Sequence, residues 1–412
     1  LFGGLLPFLT NPESDSGFVK NEYLCIVVSR YAASKLKQLA RKFPVVGLLG
    51  PRQSGKTTLA RGLFPNKPYV SFENQDNVLL AMQDPRSFLG SYKNGAVFDE
   101  IQRAPQILSY LQEVVDSHTK KSGIFVITGS QNLLLLETVS QTLAGRIAFI
   151  YLLPFSMSEL AETSFGRQSL DTYLLKGGYP RLYQQRITPS DYYPNYLTTY
   201  VERDVRQIKN ITNLGLFQRF IKICATRTGQ QINYSSISND CGIDQKTVLN
   251  WLGILEASFI AFSLQPFYNN LGKRLLQMPK LYFYDTGLCC SLLEIENEKQ
   301  LVNHPMRGSL TENLIILELL KGRFNKGLRS NLYYWRDRTG NEIDLLLDQS
   351  HGAIPVEIKS SSTFTEDFLK GIQYWKKLNP SVKDGYLVYT GKEGKVNSVK
   401  ILNWRNIGSI KN

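Results

Sequence analysis

Short apolar runs alternate with helical stretches through the first part of this 412-residue chain. "RKFPVVGLLG" (41–50) is apolar and ends in Gly, the mark of a buried strand that runs into a loop. "TTLARGLF" follows it with helical spacing. "YVSF" (69–72), "AVFDE" (96–100), "IFVITGS" (124–130) and "IAFIYLL" (147–153) predict four more strands. Helical segments such as "PQILSYLQEVVDSH" (105–118) separate several of them. Strands that alternate with helices imply an α/β domain, with a parallel sheet covered on both faces.

The pattern then changes. Residues 166–209 read as helical and polar, and residues 216–265 stay helical with a turn at Cys241-Gly242. After residue 305 an apolar helix, "LTENLIILELL", precedes a strand pair and a further helix. These shifts predict an extension over 1–27, a first domain over 28–165, a helical lid or linker over 166–209, a helix-turn-helix unit over 210–304 and a small α/β domain over 305–412.

The phosphate chemistry sits between the first strand and its helix. Gly50-Pro51-Arg52-Gln53-Ser54-Gly55-Lys56-Thr57-Thr58 has the G-x-x-x-x-G-K-[ST] spacing of a phosphate-binding loop, in the strand-to-helix context such a loop requires. The glycines let backbone N–H groups curl toward phosphate oxygens. Lys56 is expected to reach the β- and γ-phosphates and Thr57 to hold Mg²⁺. "AVFDE" then delivers two carboxylates at a strand end. Asp99 is assigned to Mg²⁺ through water, and Glu100 to orienting and deprotonating the attacking water. Thr128 or Ser130, at the end of the next strand in "ITGSQ", can sense the γ-phosphate. Arg146 in "LAGR" is either a finger that reaches into a neighbouring subunit or a partner of a local carboxylate. A finger in trans would make the protein a homo-oligomer.

These motifs, with "VFDEIQRAP", "LLPFSMSEL", "GGYPRLY", "YVERDV" and "PKLYFYDTGL" in this order, resemble the prokaryotic AAA-type P-loop ATPases that carry a carboxy-terminal domain of unknown function similar to nucleases. The resemblance runs from about Val28 to about Tyr389. It implies ATP and Mg²⁺ as ligands, a sheet with the sensor strand between the first and third strands, and a winged helix in the middle. It assigns no chemistry to Glu202, Arg203 and Asp204.

"INYSSISNDCGIDQKTVLNWLGILEASFIAFSL" (232–264) reads as helix, tight turn, helix and strand, the cadence of a helix-turn-helix with a wing. The second helix would start near Asp244, with Gln245, Lys246 and Asn250 outward and Trp251, Leu252 and Leu255 in the core. Contact with DNA and docking of domains both remain open for it. Residues 201–280 hold ten Lys/Arg against five Asp/Glu, which leans toward DNA.

In "NEIDLLLDQSHGAIPVEIKSS" (341–361), two strand-like runs flank a turn near Ser350-His351. A symmetric hairpin sets Asp344 opposite Glu357 and Glu342 opposite Lys359, all on one face. Ile343, Leu345, Leu347, Ile354, Val356 and Ile358 would form the core face. Facing carboxylates lie about 5 Å apart at Cβ and suit Mg²⁺, with Lys359 placed to orient water or stabilise charged phosphate. Asp…Glu-x-Lys resembles the PD-(D/E)XK nuclease signature, although Ile343 stands where that signature often has proline. Glu312 matches that fold's extra acidic residue, a third candidate metal ligand, or is a carboxylate favoured at a helix start. Lys370, Lys376 and Lys377 would track a DNA backbone.

Composition narrows the alternatives. A net charge of +13 favours a polyanion. Five scattered cysteines and three histidines argue against a disulfide framework, a zinc site or a serine–histidine triad, and for reduced thiols in the cytoplasm. No apolar run reaches the roughly 18–20 residues that span a bilayer, so no membrane partner is expected. Residues 1–27 have neither a basic start nor a small-residue cleavage site. The reading is an ATP-hydrolysing protein coupled to a DNA-directed nuclease-like domain. Its rivals are a switch with an inactive nuclease fold and a scaffold that recruits a protein partner.

Overall fold

A computed structural model describes residues 28–117, 121–130, 142–185, 187–200, 211, 213–268 and 278–410. The extension 1–27 and the triplet Glu202, Arg203 and Asp204 lie outside the described residues.

Five strands form the first sheet: β1 (Val45–Leu49), β2 (Tyr69–Ser71), β3 (Val97–Asp99), β4 (Phe125–Gly129) and β5 (Ile147–Tyr151). All pair in parallel, in the order β2-β3-β4-β1-β5. β1 and β4 are buried at every residue, which is why they read as unbroken apolar runs rather than as alternation. The helix Ile107–Ser117 turns Ile107, Leu108, Leu111 and Val115 inward, a stripe at helical spacing. β4 lies between β1 and β3, the order the family resemblance implied. The carboxyl ends of β1, β4 and β3 are therefore neighbours, the place where an open parallel sheet binds its ligand.

The helices Leu170–Lys176, Pro180–Gln184 and Pro189–Tyr200 follow, packed through Tyr179, Tyr192, Tyr193 and Tyr196. Next come Leu214–Thr226, Tyr234–Cys241 and Gln245–Ala257. Gly242 ends the middle helix at φ 71°, a conformation that suits glycine, and Asp244 caps the next one through the Thr247 N–H. An antiparallel hairpin, β6 (Ala261–Leu264) and β7 (Lys280–Phe283), completes this part.

The last part opens with the helix Arg307–Asn325. Its sheet contains β8 (Leu332–Arg336), β9 (Glu342–Gln349), β10 (Gly352–Ile358), β11 (Gly385–Tyr389), β12 (Gly394–Val396) and β13 (Val399–Asn403), in the order β12-β13-β11-β10-β9-β8. The helix Lys370–Leu378 covers it through Ile372 and Trp375. The hairpin register is the expected one, from Gln349 opposite Gly352 to Leu345 opposite Val356. The expected single core face needs correction. The pairing of β9 with β8 shifts by one residue between Leu346 and Ile343, a bulge beside Asp344. Ile343 therefore packs with Phe267, Leu346, Ala353 and Trp375, whereas Leu345, Leu347, Val356 and Ile358 join the main core.

The parts are not separate globules. One apolar cluster runs from Val28 to Ile410. The Phe267 N–H donates to Tyr334 O (2.7 Å) and the Tyr334 N–H to Gln265 O (3.1 Å), so the middle part extends onto β8. Among the described residues, no helix is long and apolar enough to cross a membrane.

Candidate functional site

Residues 50–58 wrap around the end of β1. A Cβ on Gly50 would lie 2.1 Å from Leu152 O, so the chain passes β5 too closely for any side chain. Gln53 and Gly55 have φ of 61° and 94°, the left-handed turns that point successive N–H groups to one side. Gly55 then starts the helix Lys56–Leu63. Lys56 is buried, and its Nζ donates to Gly50 O (2.9 Å) and Pro51 O (2.8 Å). Ser54 Oγ is buried with no hydrogen-bond partner among the described residues.

Asp99 and Glu100 face this loop. Thr57 Oγ1 stands 3.0 Å from both Asp99 oxygens. Tyr69 donates to Asp99 Oδ2 (2.7 Å), and Thr128 donates to Oδ1. The Tyr69 hydroxyl is pushed up to about 12, first by burial and then by its bond to Asp99. Glu100 lies 4.0 Å from Lys56 and accepts from Ser130 Oγ (2.8 Å) and Gln102 Nε2 (2.5 Å). Burial works to raise its pKa, but Lys56, Ser130 and Arg52 outweigh it and hold the carboxyl below the ordinary range. Glu100 also has φ 57°, a strained conformation for a residue with a side chain. The hard oxygens of Thr57 and Asp99 fit Mg²⁺, and the orphan Ser54 hydroxyl beside the curled N–H groups fits a phosphate.

The cleft over this loop measures about 510 Å³. Thr58, Glu73, Arg52 and Gln53 line one side, and Pro180, Arg181, Gln184, Tyr196, Thr199 and Tyr200 line the other. Helices beyond the sheet thus form the second wall, and Tyr192 reaches Gln53 directly (2.9 Å). A buried path leads away from the loop. Arg30 donates to Ser54 O (2.7 Å), Leu153 O (2.6 Å) and Glu159 (3.1 Å). Two residues before Glu159, the Met157 N–H donates to Glu318 (2.7 Å), whose partner Lys321 donates to Phe155 O (2.9 Å). Glu318 and Lys321 lie on the helix that also carries Glu312.

A second group of carboxylates gathers in the carboxy-terminal part. Asp344 accepts from the Ile358 N–H (2.8 Å) and from Lys359 Nζ (3.2 Å), and Glu357 accepts from the same ammonium (2.7 Å). Glu312 accepts from Lys280 (3.1 Å) and Tyr282 (2.5 Å). Glu342 pairs with Lys280 and with Arg336 (3.5 Å). Burial and the Asp344 charge push Glu312 up to about 7. They also push Glu357 well above the ordinary range. Asp344, despite burial, is held low by Lys359 and Lys280. The lysines are raised in turn: their carboxylates outweigh the burial that would depress them. Among the described residues, no group of three or more His, Cys, Asp or Glu side chains is arranged to hold a metal ion. Lys359 Nζ contacts one oxygen each of Asp344 and Glu357, and Lys280 Nζ one each of Glu312 and Glu342, so ammonium groups share these carboxylates.

Arg146 makes a bidentate pair with Asp116 of its own chain (2.6 and 3.0 Å). Gln245, Lys246, Leu249 and Asn250 are exposed along the helix Gln245–Ala257, and Trp251, Leu252 and Leu255 are buried. Lys376 is tied to Lys383 O (2.6 Å) and Ser398 Oγ (2.8 Å), and Lys370 pairs with Asp367 (2.8 Å), whereas Lys377 is exposed and makes no hydrogen bond or ion pair among the described residues.

Pattern reading missed Arg30, Tyr69, Gln102, Arg181, Lys280 and Tyr282. For Lys280 one signal existed. It is a lone cation in the apolar strand "KLYF", two residues from Tyr282 and so on the same face.

Residues 42–161 match the AAA domain family. Residues 167–299 and 307–406 match two domains of unknown function, DUF8612 and DUF4143. The Walker-type ATPase of Pyrococcus abyssi aligns at a TM-score of 0.46 and 14% identity, over 65% of this chain and 96% of that one. The RuvB Holliday junction branch migration motor of Thermotoga maritima aligns at 0.30 and 16%, over 57% and 89%. The uncharacterized protein Rv2008c of Mycobacterium tuberculosis is 30% identical over 344 residues, which cover 82% of this chain and 76% of that protein, and Mb2031c of Mycobacterium bovis matches equally. The chain belongs to the family of these uncharacterized mycobacterial proteins, and carries a AAA domain followed by two domains of unknown function.

Proposed function

We propose that this chain binds and hydrolyses ATP in the cleft above residues 50–58, and that the nucleotide state sets the arrangement of a DNA-directed, nuclease-like carboxy-terminal part. The observation that carries the first half is the convergence of Lys56, Thr57, Asp99 and Glu100 at neighbouring strand ends. The N–H groups of the loop take the phosphates, and Lys56 exchanges its two carbonyl partners for phosphate oxygens. Thr57 and Asp99 hold Mg²⁺, which neutralises phosphate charge when bound. Glu100, ionised across the neutral range, orients water and takes its proton. Ser130 and Gln102 fix that carboxylate. Arg181 approaches the phosphates from the opposite wall.

The coupling rests on the buried path from Ser54 through Arg30 and Glu159 toward Glu318, on the helix of Glu312. DNA as the target rests on the net charge of +13 and the exposed Gln245, Lys246 and Asn250 on the second helix of a winged-helix-like unit. The Asp344/Glu357/Lys359 arrangement supports a nuclease-like fold. A second reading, a fold of that kind that binds without cutting, draws on the lysines that already contact its carboxylates.

The test is to incubate the protein with duplex DNA and Mg²⁺ or Mn²⁺, with ATP, a non-hydrolysable analogue or no nucleotide. Phosphate release, DNA binding at two salt concentrations and strand cleavage are read together. Hydrolysis with nucleotide- and salt-dependent DNA binding is expected. Hydrolysis with binding but no cleavage favours the second reading. No phosphate release under any condition would remove the first half of the proposal.

A further inference from the structure

The carboxy-terminal acidic site takes one of its cations from outside its own fold. Lys280 and Tyr282 alternate along β7, so both point the same way. Both reach Glu312, on the helix Arg307–Asn325. Lys280 continues to Glu342, at the start of β9, and lies 5.4 Å over the Tyr334 ring. Its side chain is only 4% exposed. Lys359 occupies the other half of the site, between Asp344 and Glu357. A carboxylate group of this kind attracts a divalent cation through its uncompensated charge, and here Lys280, Lys359 and Arg336 offset most of the charge of Glu312, Glu342, Asp344 and Glu357.

Lys280 is itself buried, and leaving its two half-buried carboxylates would strand its own charge away from water. Its backbone is also fixed. Leu281 N–H donates to Gln230 O (3.1 Å), Ile232 N–H to Pro279 O (2.8 Å), and β7 pairs along its length with β6. β6 follows the helix Gln245–Ala257, whose end at Ser258 is hydrogen-bonded to Tyr200 (2.6 Å). Tyr200 lines the nucleotide cleft.

We infer that Lys280 is a built-in counter-ion that excludes divalent cations from the Glu312/Asp344 site, and that the middle part of the chain, by carrying it on β7, decides when that site can take a metal. This goes beyond the proposed activity, because it concerns which cation fills the site and not what the site does to DNA. The other candidate explanation, a salt bridge that merely joins two parts of the fold, makes a different prediction for metal binding.

The experiment counts bound Mn²⁺ by the electron paramagnetic resonance of the free ion, on the full chain without nucleotide. Wild type and Asp344→Asn are expected to bind the same number of ions. Lys280→Met is expected to bind one more per chain, and Lys280→Met/Asp344→Asn to lose it again. Mn²⁺ should raise the melting temperature of Lys280→Met and leave that of wild type unmoved. If Lys280→Met does not fold, Lys280→Gln takes its place, since it keeps a donor to Glu312 without the charge. A Mn²⁺ site in wild type that Asp344→Asn lacks would overturn the inference, and so would a folded Lys280 variant that gains no ion. Failure of ATP hydrolysis or of DNA cleavage would count against the proposed function alone, since neither is needed to count Mn²⁺.

Discussion

Asp99 and Glu100 at the end of β3, and Asp344 and Glu357 across β9 and β10, are two carboxylate pairs at strand ends with opposite surroundings. The first pair faces an open cleft and is held mainly by hydroxyls, from Thr57, Tyr69, Thr128 and Ser130. Lys56, its one close ammonium among the described residues, sits 4.0 Å from Glu100 and donates to two carbonyls that a phosphate can replace. The second pair is bound by Lys359, beside a second ammonium on Glu312 and Glu342. Hydroxyls leave carboxylates free to share a metal, whereas lysines compete with one. The same residue types at a strand end thus make a receptive site or a closed one, depending on what supplies the opposite charge.

Four substitutions test this contrast. Lys56→Ala should reduce phosphate release to background and remove the rise in melting temperature that ATP causes. Survival of hydrolysis would erase the receptive half of the comparison. Glu100→Gln should lower kcat by about 10²–10⁴-fold, the usual share of a general base, while ATP still raises the melting temperature. If binding and turnover fell together, Glu100 would be holding nucleotide rather than acting on water.

Arg30→Ala removes the guanidinium from Glu159, which is 1% exposed, and should cost about 3–5 kcal/mol in a denaturant titration, as expected when a buried pair loses one partner. A smaller loss would mean that the path toward Glu318 is looser than its distances. The least effect is expected from Arg146→Ala. Its pair with Asp116 is exposed and the melting temperature should hold. A loss of hydrolysis that deepens on dilution would show that Arg146 serves a neighbouring subunit.

The sequence made some of this legible. β1, the loop after it and its helix are contiguous in the chain, so spacing alone describes them. The β9–β10 register follows from a tight turn between two strands of matching pattern. The bulge beside Asp344 did not show, because it depends on β8, a partner that the two-strand pattern ignores. Nor did the counter-charges. Lys280 meets Glu312 from 32 residues away, and Arg30 meets Glu159 from 129 away. Periodicity reports which face of an element is apolar, not which distant element will cover it. β12 is hard to read for a related reason: it is three residues long and mostly exposed, and it forms by pairing with β13.

The hydrogen bonds between Gln265–Phe267 and Tyr334 make β8 a rim shared by two parts of the chain. Cutting the chain just before Arg307 would strip that rim and leave backbone donors and acceptors open to any passing strand, the geometry from which sheets aggregate. A carboxy-terminal fragment prepared alone would therefore be sticky and short of one lysine. The tail of this protein is a tenant of the part before it, and the two should melt, and be cleared by proteases, together.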